Sequence, residues 1–383
     1  MDLRPRRPWE TEEAALFRAA LRRFLTDEAL PREERWRAQN FVDREFWQMA
    51  GEIGALLPSI PEDFGGSGGD FAFEAVIAEE LGYCGLTSFQ QLIHGTIVAH
   101  YLLAYATAEQ KARWLPQMAS GAMIGAIAMT EPGAGSDLKA LRTTARRDGD
   151  SYVINGSKIF ITNGIMADLV IVACSTDPAR GAKGISLLVL ETADATGFAR
   201  GRNLHKIGMK GSDTAELFFE DVRVPAENLL GGIEGQGFIQ MMTQLPQARL
   251  GVAVGAQAMS EHGIELTLDH ARDRAAFGGR LLGLQVPRHM LADCLREVRV
   301  SRAFVDDCIA RHIAGTLGPA DASMAKLHTT EMQSRVLDAC LQLHGGYGFM
   351  EEYRIARMFA DSRVQRIYAG ANEIMKEIIA REF

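Results

Sequence analysis

Apolar residues near the start of the chain recur at helical spacing, at Phe17, Leu21, Phe24 and Leu25. Thr11 stands just before this run, where an N-cap residue is expected. Two further apolar stretches, at residues 71–81 and 96–103, have the same period. A glycine-rich loop at residues 61–70 precedes them. The pattern predicts an N-terminal α-helical domain over residues 1–121.

The period changes towards two in the next part of the chain. Short β-rich runs occupy residues 152–154, 158–161, 169–173, 185–190 and 215–219. Asp148-Gly149 and Asn155-Gly156 lie beside such runs, and both pairs favour the positive φ angles of tight hairpins. We therefore expect two hairpin turns here, within a middle antiparallel β-domain over residues 122–232.

Helical periodicity returns in three long segments, at residues 245–274, 286–313 and 319–343. Long helices with short connections are typical of a bundle. The expected fold class is therefore α+β and multidomain, in the order α, β, α, with a C-terminal four-helix-bundle domain over residues 233–383.

Composition and charge argue against several classes of protein. The net charge is −8 with both signs mixed, which makes a nucleic-acid partner unlikely on charge grounds. No apolar stretch reaches the length of a membrane span, and no apolar region follows Arg4, Arg6 and Arg7 as a secretory leader requires. The five cysteines form no CxxC pair, so neither a metal site nor a disulfide framework is expected. These features favour a cytoplasmic protein.

Two strings carry candidate chemistry. AMTEPGAGSDL, at residues 128–138, forms a rigid loop whose N–H groups and hydroxyls are free to hold a planar or anionic ligand. KIFITNG, at residues 158–164, places an aromatic residue and a threonine on one strand, where they would stack on and hydrogen-bond to a ring. Taken singly, a plain turn with structural glycines and an ordinary amphipathic strand are the better explanations of these two strings. No G-x-G-x-x-G or Walker A string offers a dinucleotide alternative.

Four more strings follow in order, at residues 204–231, 274–278 (with Gln285 after it), 341–349 and 367–383. Together the six strings resemble the acyl-CoA dehydrogenase family over residues 11–383, nearest to its long-chain and related bacterial members. The resemblance implies FAD as cofactor and oxidation of an acyl-CoA thioester to the 2-enoyl-CoA. It also implies an electron-transferring flavoprotein as acceptor and a homotetramer built as a dimer of dimers.

The resemblance assigns site residues by position. The positions that match FAD contacts are Ile127, Ala128, Met129, Thr130, Gly135, Ser136, Phe160, Ile161, Thr162, Arg274, Phe277, Gln285, Gln342, Leu343, Gly345, Gly346, Ala371 and Glu373. Those that match the substrate site are Thr96, Ser136, Phe238, Met242, Leu245, Arg249, Gly370 and Arg381. We expect the depth of the acyl pocket to depend on His94, Thr96, Phe238, Met241 and Met242.

The catalytic base is where the chain departs from the family. Most members carry Glu after the tyrosine of the C-terminal segment, where this chain has Ala369. Long-chain-type members instead carry Glu immediately before an Arg-Leu pair, where this chain has Ala248. No carboxylate lies one helical turn from Ala248, since those places hold Gln244, Leu245, Gly251 and Val252. The backbone N–H of Ala369 still matches the donor to the thioester carbonyl.

Three interpretations of the missing base stay open. In the first interpretation, Ala248 is an introduced replacement of an original glutamate. Alternatively, a natural enzyme takes its base from elsewhere or performs different chemistry on the same fold, as desulfinases and flavin monooxygenases do. Finally, the protein binds acyl-CoA and FAD without catalysis. In every case we expect slow dehydrogenation of simple acyl-CoAs, because a general base contributes ~10² to 10⁴ in rate.

Overall fold

The computed structural model describes residues 5–383. Arg4, one of the arginines considered for a secretory leader, lies outside the described residues. In the described part, no helix combines the length and the apolar character that crossing a membrane requires. The order of elements is helices, then a sheet, then helices again, which confirms the predicted α, β, α architecture. The domain boundaries at residues 121 and 232 stay predictions.

The N-terminal part contains six α-helices and two π-helical segments among its described residues. The helices are α1 (Glu12–Phe24), α2 (Glu33–Gln39), α3 (Arg44–Glu52), α4 (Phe71–Cys84), α5 (His100–Tyr105) and α6 (Ala108–Ala119), and the π-helical segments are Leu25–Ala29 and Leu92–Ala99. Thr11 caps α1 as predicted, because its side chain accepts a hydrogen bond from the N–H of Ala14. The second π-helical segment runs directly into α5 and packs against the first long helix of the C-terminal part.

The middle part is one seven-stranded sheet. Its strands are β1 (Gly125–Ala128), β2 (Thr144–Asp148), β3 (Ser151–Thr162), β4 (Leu169–Ser175), β5 (Ile185–Glu191), β6 (Phe198–Asn203) and β7 (Thr214–Pro225). The order is β1-β4-β2-β3-β7-β6, with β5 also paired to β4. Most pairs are antiparallel, as predicted, but β1 and β2 run parallel to β4, which the sequence pattern did not indicate. The β2–β3 hairpin lies between β1 and β4 in the chain and supplies the long connection that a parallel pair needs.

Only one of the two expected hairpin turns exists. Gly149, with φ 60°, turns the chain between β2 and β3 as predicted. Asn155-Gly156 instead lies inside β3, where the register with β7 shifts between Ile154 and Gly156. The Asn155 side chain exchanges two hydrogen bonds with Asp221 across the strands, which keeps the segment in the sheet. Because one residue of β3 here faces two residues of β7, the pair lies opposite a β-bulge in β7 rather than in a turn.

The C-terminal part is built on long helices. These are α7 (Gly237–Asp273), α8 (Gln285–Ile313), α9 (Pro319–His344), α10 (Arg354–Ser362) and α11 (Asn372–Ala380), and a two-stranded ribbon, β8 (Ala275–Ala276) and β9 (Gly279–Arg280), separates α7 from α8. α7 packs against α4, α8 and α9. α4 and α7 approach closely, since a Cβ added at Gly82 would lie 2.7 Å from the carbonyl oxygen of Gly255.

A buried ionic cluster, formed by Arg7, Arg18, Glu79, Glu261 and Arg302, ties the start of the chain to the helices. Arg302 Nε lies 2.8 Å from Glu261 Oε1, and Arg18 Nη1 lies 2.8 Å from Glu79 Oε2. Arg7 reaches both carboxylates, at 3.3 Å from Glu79 and 3.0 Å from Glu261. Because four separate elements contribute, the cluster holds the packing of α4 on α7 and α8.

Candidate functional site

The loop after β1 is anchored to β3 by a buried ion pair. Lys158 Nζ lies 2.7 Å from Glu131 Oε1 and donates to the carbonyl of Met129 at 3.2 Å. Glu131 also accepts from the N–H groups of Arg142 and Thr143. Burial alone would raise the pKa of the Glu131 carboxyl, but Lys158 and these donors hold it below its usual value. The sequence motifs gave no indication of this pair, because both residues read as ordinary polar positions.

This anchor leaves the ligand-binding side of the loop open. Phe160 has φ 61° at a second register shift in β3, and its side chain is 63% exposed. A Cβ added at Gly133 or Gly135 would meet nothing within 4 Å. Thr130 and Thr162 are half-buried, and Thr130 is held beside β3 by the N–H of Ile159, 3.0 Å from its carbonyl. The predicted ring-binding residues of the two strings therefore lie together, beside accessible space.

The segments that carry the two predicted base positions are linked through Arg249. Ala248 is buried on α7, and the next residue, Arg249, donates from Nε to the carbonyl of Ala369 at 3.4 Å. Burial lowers the pKa of the Arg249 guanidinium to about 10. Among residues 5–383, no carboxylate forms an ion pair with Arg249. The buried guanidinium of Arg249 therefore lies next in the chain to a position where the resemblance implies a glutamate carboxylate.

The Ala369–Gly370 turn is held from behind. Ala369 has φ 52° and Gly370 has φ 94°, and Lys326 Nζ donates to Gly370 O at 2.8 Å and to Asn372 Oδ1 at 2.9 Å. Burial, with Arg249 nearby, lowers the pKa of Lys326 to about 8. Within the described chain, the N–H of Ala369 donates to no protein acceptor. The turn thus presents one free backbone donor next to Ala248.

A narrow cavity of about 80 Å³ runs between α4 and α7 and reaches Tyr368, beside this turn. Its walls are Ala78, Leu81, Gly82, Leu86, Thr87, Phe89, Gln90, Gln91, Leu92, Met209, Gly251, Val252, Gly255, Met259, Gln365 and Tyr368. None of the five residues expected to set pocket depth lines it. The ring of His94, for example, forms hydrogen bonds with the carbonyl of Met118 and with the N–H of Gly125.

A larger open cavity of about 810 Å³ lies at the far end of α7 and α9. It brings together the predicted FAD positions Arg274, Phe277, Gln342, Leu343, Gly345 and Gly346. The guanidinium of Arg274 lies 5.4 Å from the centre of the Tyr347 ring. Phe277 is 96% exposed in the single chain. Gln285, Ala371 and Glu373 do not line this cavity.

The remaining predicted substrate residues are dispersed. Thr96 is buried, and its hydroxyl donates to Glu74 rather than into the 80 Å³ cavity. Phe238 and Leu245 are half-buried, and Met242 is 37% exposed. Arg381 is exposed and pairs with Glu377 at 3.4 Å. Ser136 is exposed on the loop after β1.

Thr96 belongs to a buried polar cluster that the sequence analysis missed. Glu74 accepts from Ser59 Oγ at 2.7 Å as well as from Thr96, and His100 Nε2 lies 3.7 Å away. Burial opposes ionisation of Glu74, but His100, Thr96 and Ser59 together hold the pKa of its carboxyl below the usual value. Glu74 lies within an almost wholly apolar α4, so spacing alone could not reveal its partners. Among the described residues, no group of His, Cys, Asp and Glu is arranged to hold a metal ion.

Comparison with known proteins agrees with this geometry. The N-terminal, middle and C-terminal domains of acyl-CoA dehydrogenase match residues 11–122, 126–222 and 235–383. The long-chain specific acyl-CoA dehydrogenase of Sus scrofa mitochondria is 48% identical over 374 residues, which cover 97% of this chain and 86% of that protein. The crystal structure of an acyl-CoA dehydrogenase from Geobacillus kaustophilus superposes with a TM-score of 0.95 at 49% identity, covering 98% of this chain and 99% of that one.

A glutaryl-CoA dehydrogenase from Mycobacterium smegmatis, solved in complex with FADH2, superposes with a TM-score of 0.90 at 28% identity, covering 97% of this chain and 94% of that one. The chain belongs to the acyl-CoA dehydrogenase family, as the six strings predicted. Members of this family are FAD-dependent oxidoreductases that act on CH–CH groups.

Proposed function

We propose that this protein binds FAD and an acyl-CoA thioester as an α,β-dehydrogenase does, but lacks the carboxylate that takes the α-proton. The observation that supports the proposal is the hydrogen bond from Arg249, the residue after Ala248, to the carbonyl of Ala369, whose own N–H has no acceptor among the described residues. Neither family position for the base carries an acid.

The residues present fit FAD. The open loop at Gly133 and Gly135, with Thr130 and Thr162 beside it, offers donors and space to a planar ring. The 810 Å³ cavity carries the exposed Arg274 and Phe277, suited to the diphosphate and to a neighbouring copy of the chain. When bound, FAD supplies the acceptor for the β-hydrogen.

The chain's own residues position the thioester. The N–H of Ala369 would donate to the thioester oxygen, where enolate charge develops. Arg249 and Lys326 hold the carbonyls of Ala369 and Gly370, the two that follow that donor, so the turn is fixed before substrate arrives. Lacking a carboxylate at position 248 or 369, the site polarises the α-C–H bond without accepting its proton, and a loss of ~10² to 10⁴ in rate follows.

The partners are proposed from the relatives. The similarity to a long-chain specific enzyme favours a long acyl chain as the substrate of this protein. We also propose a homotetramer built as a dimer of dimers and an electron-transferring flavoprotein as acceptor. The near-complete exposure of Phe277 in the single chain supports an assembled form.

Anaerobic titration of the FAD-loaded protein with acyl-CoAs, followed by flavin absorbance, tests the proposal. Ala248→Glu should bleach the flavin, whereas the parent chain and the matched Ala248→Gln should bleach at least a hundred-fold more slowly. Rapid bleaching by the parent chain would show that a base exists elsewhere. Bleaching in no variant would reject thioester oxidation and favour another flavin reaction, such as desulfination or monooxygenation.

A further inference from the structure

The open cavity of about 810 Å³ contains a pair of stacked histidines. The rings of His270, on α7, and His344, at the end of α9, have centres 4.3 Å apart and planes inclined by 23°. Both residues line the cavity, so both rings are within reach of a ligand there. Neither residue is among the positions that match FAD contacts. The cavity therefore holds two titratable groups that the proposed function does not yet use.

A hydrogen bond decides which nitrogen of His344 is available. Nδ1 lies 2.9 Å from the carbonyl oxygen of Cys340. Because a carbonyl oxygen only accepts, Nδ1 carries the proton of the neutral ring, and Nε2 has the lone pair. A lone pair repels an anionic oxygen, whereas the N–H that forms on protonation donates to it. Nε2 of His344 therefore becomes an anion-binding group only when the ring is charged.

The protein's own charges disfavour that charged form. Arg274 follows His270 one turn later in the chain and lines the same cavity. Burial lowers the pKa of His270, His344 and Arg274 lower it further, and Asp273 opposes them. Burial also lowers the pKa of His344, although its hydrogen bond to Cys340 favours the charged ring. In the chain alone, both rings therefore hold their protons less tightly than an exposed histidine does.

The lining of the cavity is suited to an anion. Its titratable members are His270, Arg274, His344 and Tyr347, and no carboxylate of the described residues lines it. Asp273 is exposed and acts on His270 from outside this lining. Arg280, on β9, donates to the carbonyl of Asp273 and adds another positive charge nearby. An anion in the cavity would thus meet mainly positive charge.

An anionic diphosphate would reverse the balance that keeps the rings neutral, because a nearby opposite charge favours the charged form. We propose that the His270–His344 pair takes up one proton from solvent when FAD binds, and that the resulting imidazolium donates a hydrogen bond to the diphosphate. The pair gains a single proton because two charged rings at 4.3 Å would repel each other. This inference rests on the proposed function, because FAD must occupy the cavity.

The proposal fixes the direction of a pH effect. The pKa of the pair is low in the chain alone and is raised by the diphosphate, so FAD-bound protein holds more protons between these two pKa values. Affinity for FAD must then rise as pH falls through the higher pKa, and level off below the lower one. The diester oxygens of the diphosphate stay ionised throughout this range, so the cofactor itself does not produce the effect.

The test measures retention of FAD, so it does not depend on the missing base. The FAD-loaded protein is diluted in series at about pH 6, 7 and 8, and free FAD is separated by ultrafiltration and measured by absorbance. The dissociation constant should fall about three- to ten-fold from pH 8 to pH 6, since one unit of pKa shift is worth a factor of about ten. Combining His270→Gln with His344→Gln should make the dissociation constant independent of pH.

His205→Gln is the matched control. His205 is exposed on the loop between β6 and β7 and does not line the cavity, so this variant should keep the pH dependence of the parent chain. If the double variant does not retain FAD, the parent chain alone decides, because FAD released in weakly buffered solution should carry about one proton with it. A constant affinity in the parent chain, or a pH dependence that survives in the double variant, overturns the inference and leaves the proposed function intact. Retention of FAD at no pH rejects the proposed function itself.

Discussion

Arg249 and Ala369, 120 residues apart in the chain, are joined by a hydrogen bond from Nε to the carbonyl oxygen at 3.4 Å. Ala248 precedes Arg249, so the bond links the α7 segment that carries one predicted base position to the turn that carries the other. If the proposed function holds, a carboxylate introduced on either segment is expected to serve the same substrate.

Restoring the acid at position 248 should restore the reaction. In Ala248→Glu the new carboxylate would lie beside the buried Arg249, which favours its ionised form. Single-turnover flavin reduction by a saturated acyl-CoA should accelerate ~10² to 10⁴-fold over the parent chain. An unchanged rate, with FAD still bound, would contradict this role of position 248.

Ala369 is strained in its present conformation. Its φ of 52° lies in the left-handed region, which costs an alanine roughly 1–2 kcal/mol and a glycine almost nothing. Ala369→Gly should therefore keep or raise the free energy of unfolding, by up to ~1 kcal/mol once the added freedom of the unfolded chain is counted. Ala369→Val should lower it, and urea denaturation of the three proteins should give that order. A more stable valine variant would show that the turn is not strained.

The cluster around Glu74 should make stability depend on pH. The pKa of Glu74 is lower in the folded chain than its usual value, so its contribution is present above the unfolded pKa and is lost as pH falls through the folded pKa. Glu74→Gln should cost about 1–3 kcal/mol in the free energy of unfolding at pH 7, and less near pH 3. Urea unfolding at both pH values measures this difference. The exposed Glu52 offers the control, since Glu52→Gln should leave stability at pH 7 unchanged.

The partners of Glu74 are an example of contacts that the sequence alone did not predict. Periodicity and the six strings predicted the order of the three parts, the cap at Thr11 and the grouping of Arg274 with Gln342, because local spacing and family motifs encode them. The bulge in β7 opposite Asn155-Gly156 was missed because it depends on how a distant strand pairs with this one. The Glu74 cluster and the ionic cluster were missed because their members come from residues far apart in the chain.

Removing one member of the buried ionic cluster should be costly. Arg302→Leu would leave Glu79 and Glu261 buried with fewer cationic partners, and such a loss typically costs 3–5 kcal/mol. Arg335→Leu is the matched control, because the pair with Glu297 lies at the surface, where ion pairs contribute roughly 0–1 kcal/mol. Chemical denaturation of both variants should separate them clearly. Equal losses would mean that the burial of the cluster does not matter.

The position of Arg7 in the ionic cluster has a consequence for the engineering of this protein. Its guanidinium is buried between Glu79 and Glu261, so a residue close to the start of the sequence belongs to the interior of the fold. Trimming the first ten residues to improve crystals would act as a core mutation rather than as the removal of a loose end. An affinity tag fused at the N-terminus should be separated by a flexible spacer, so that its own charges do not compete for the two glutamates. Protein engineers working with this scaffold should keep the segment from Arg7 onward intact.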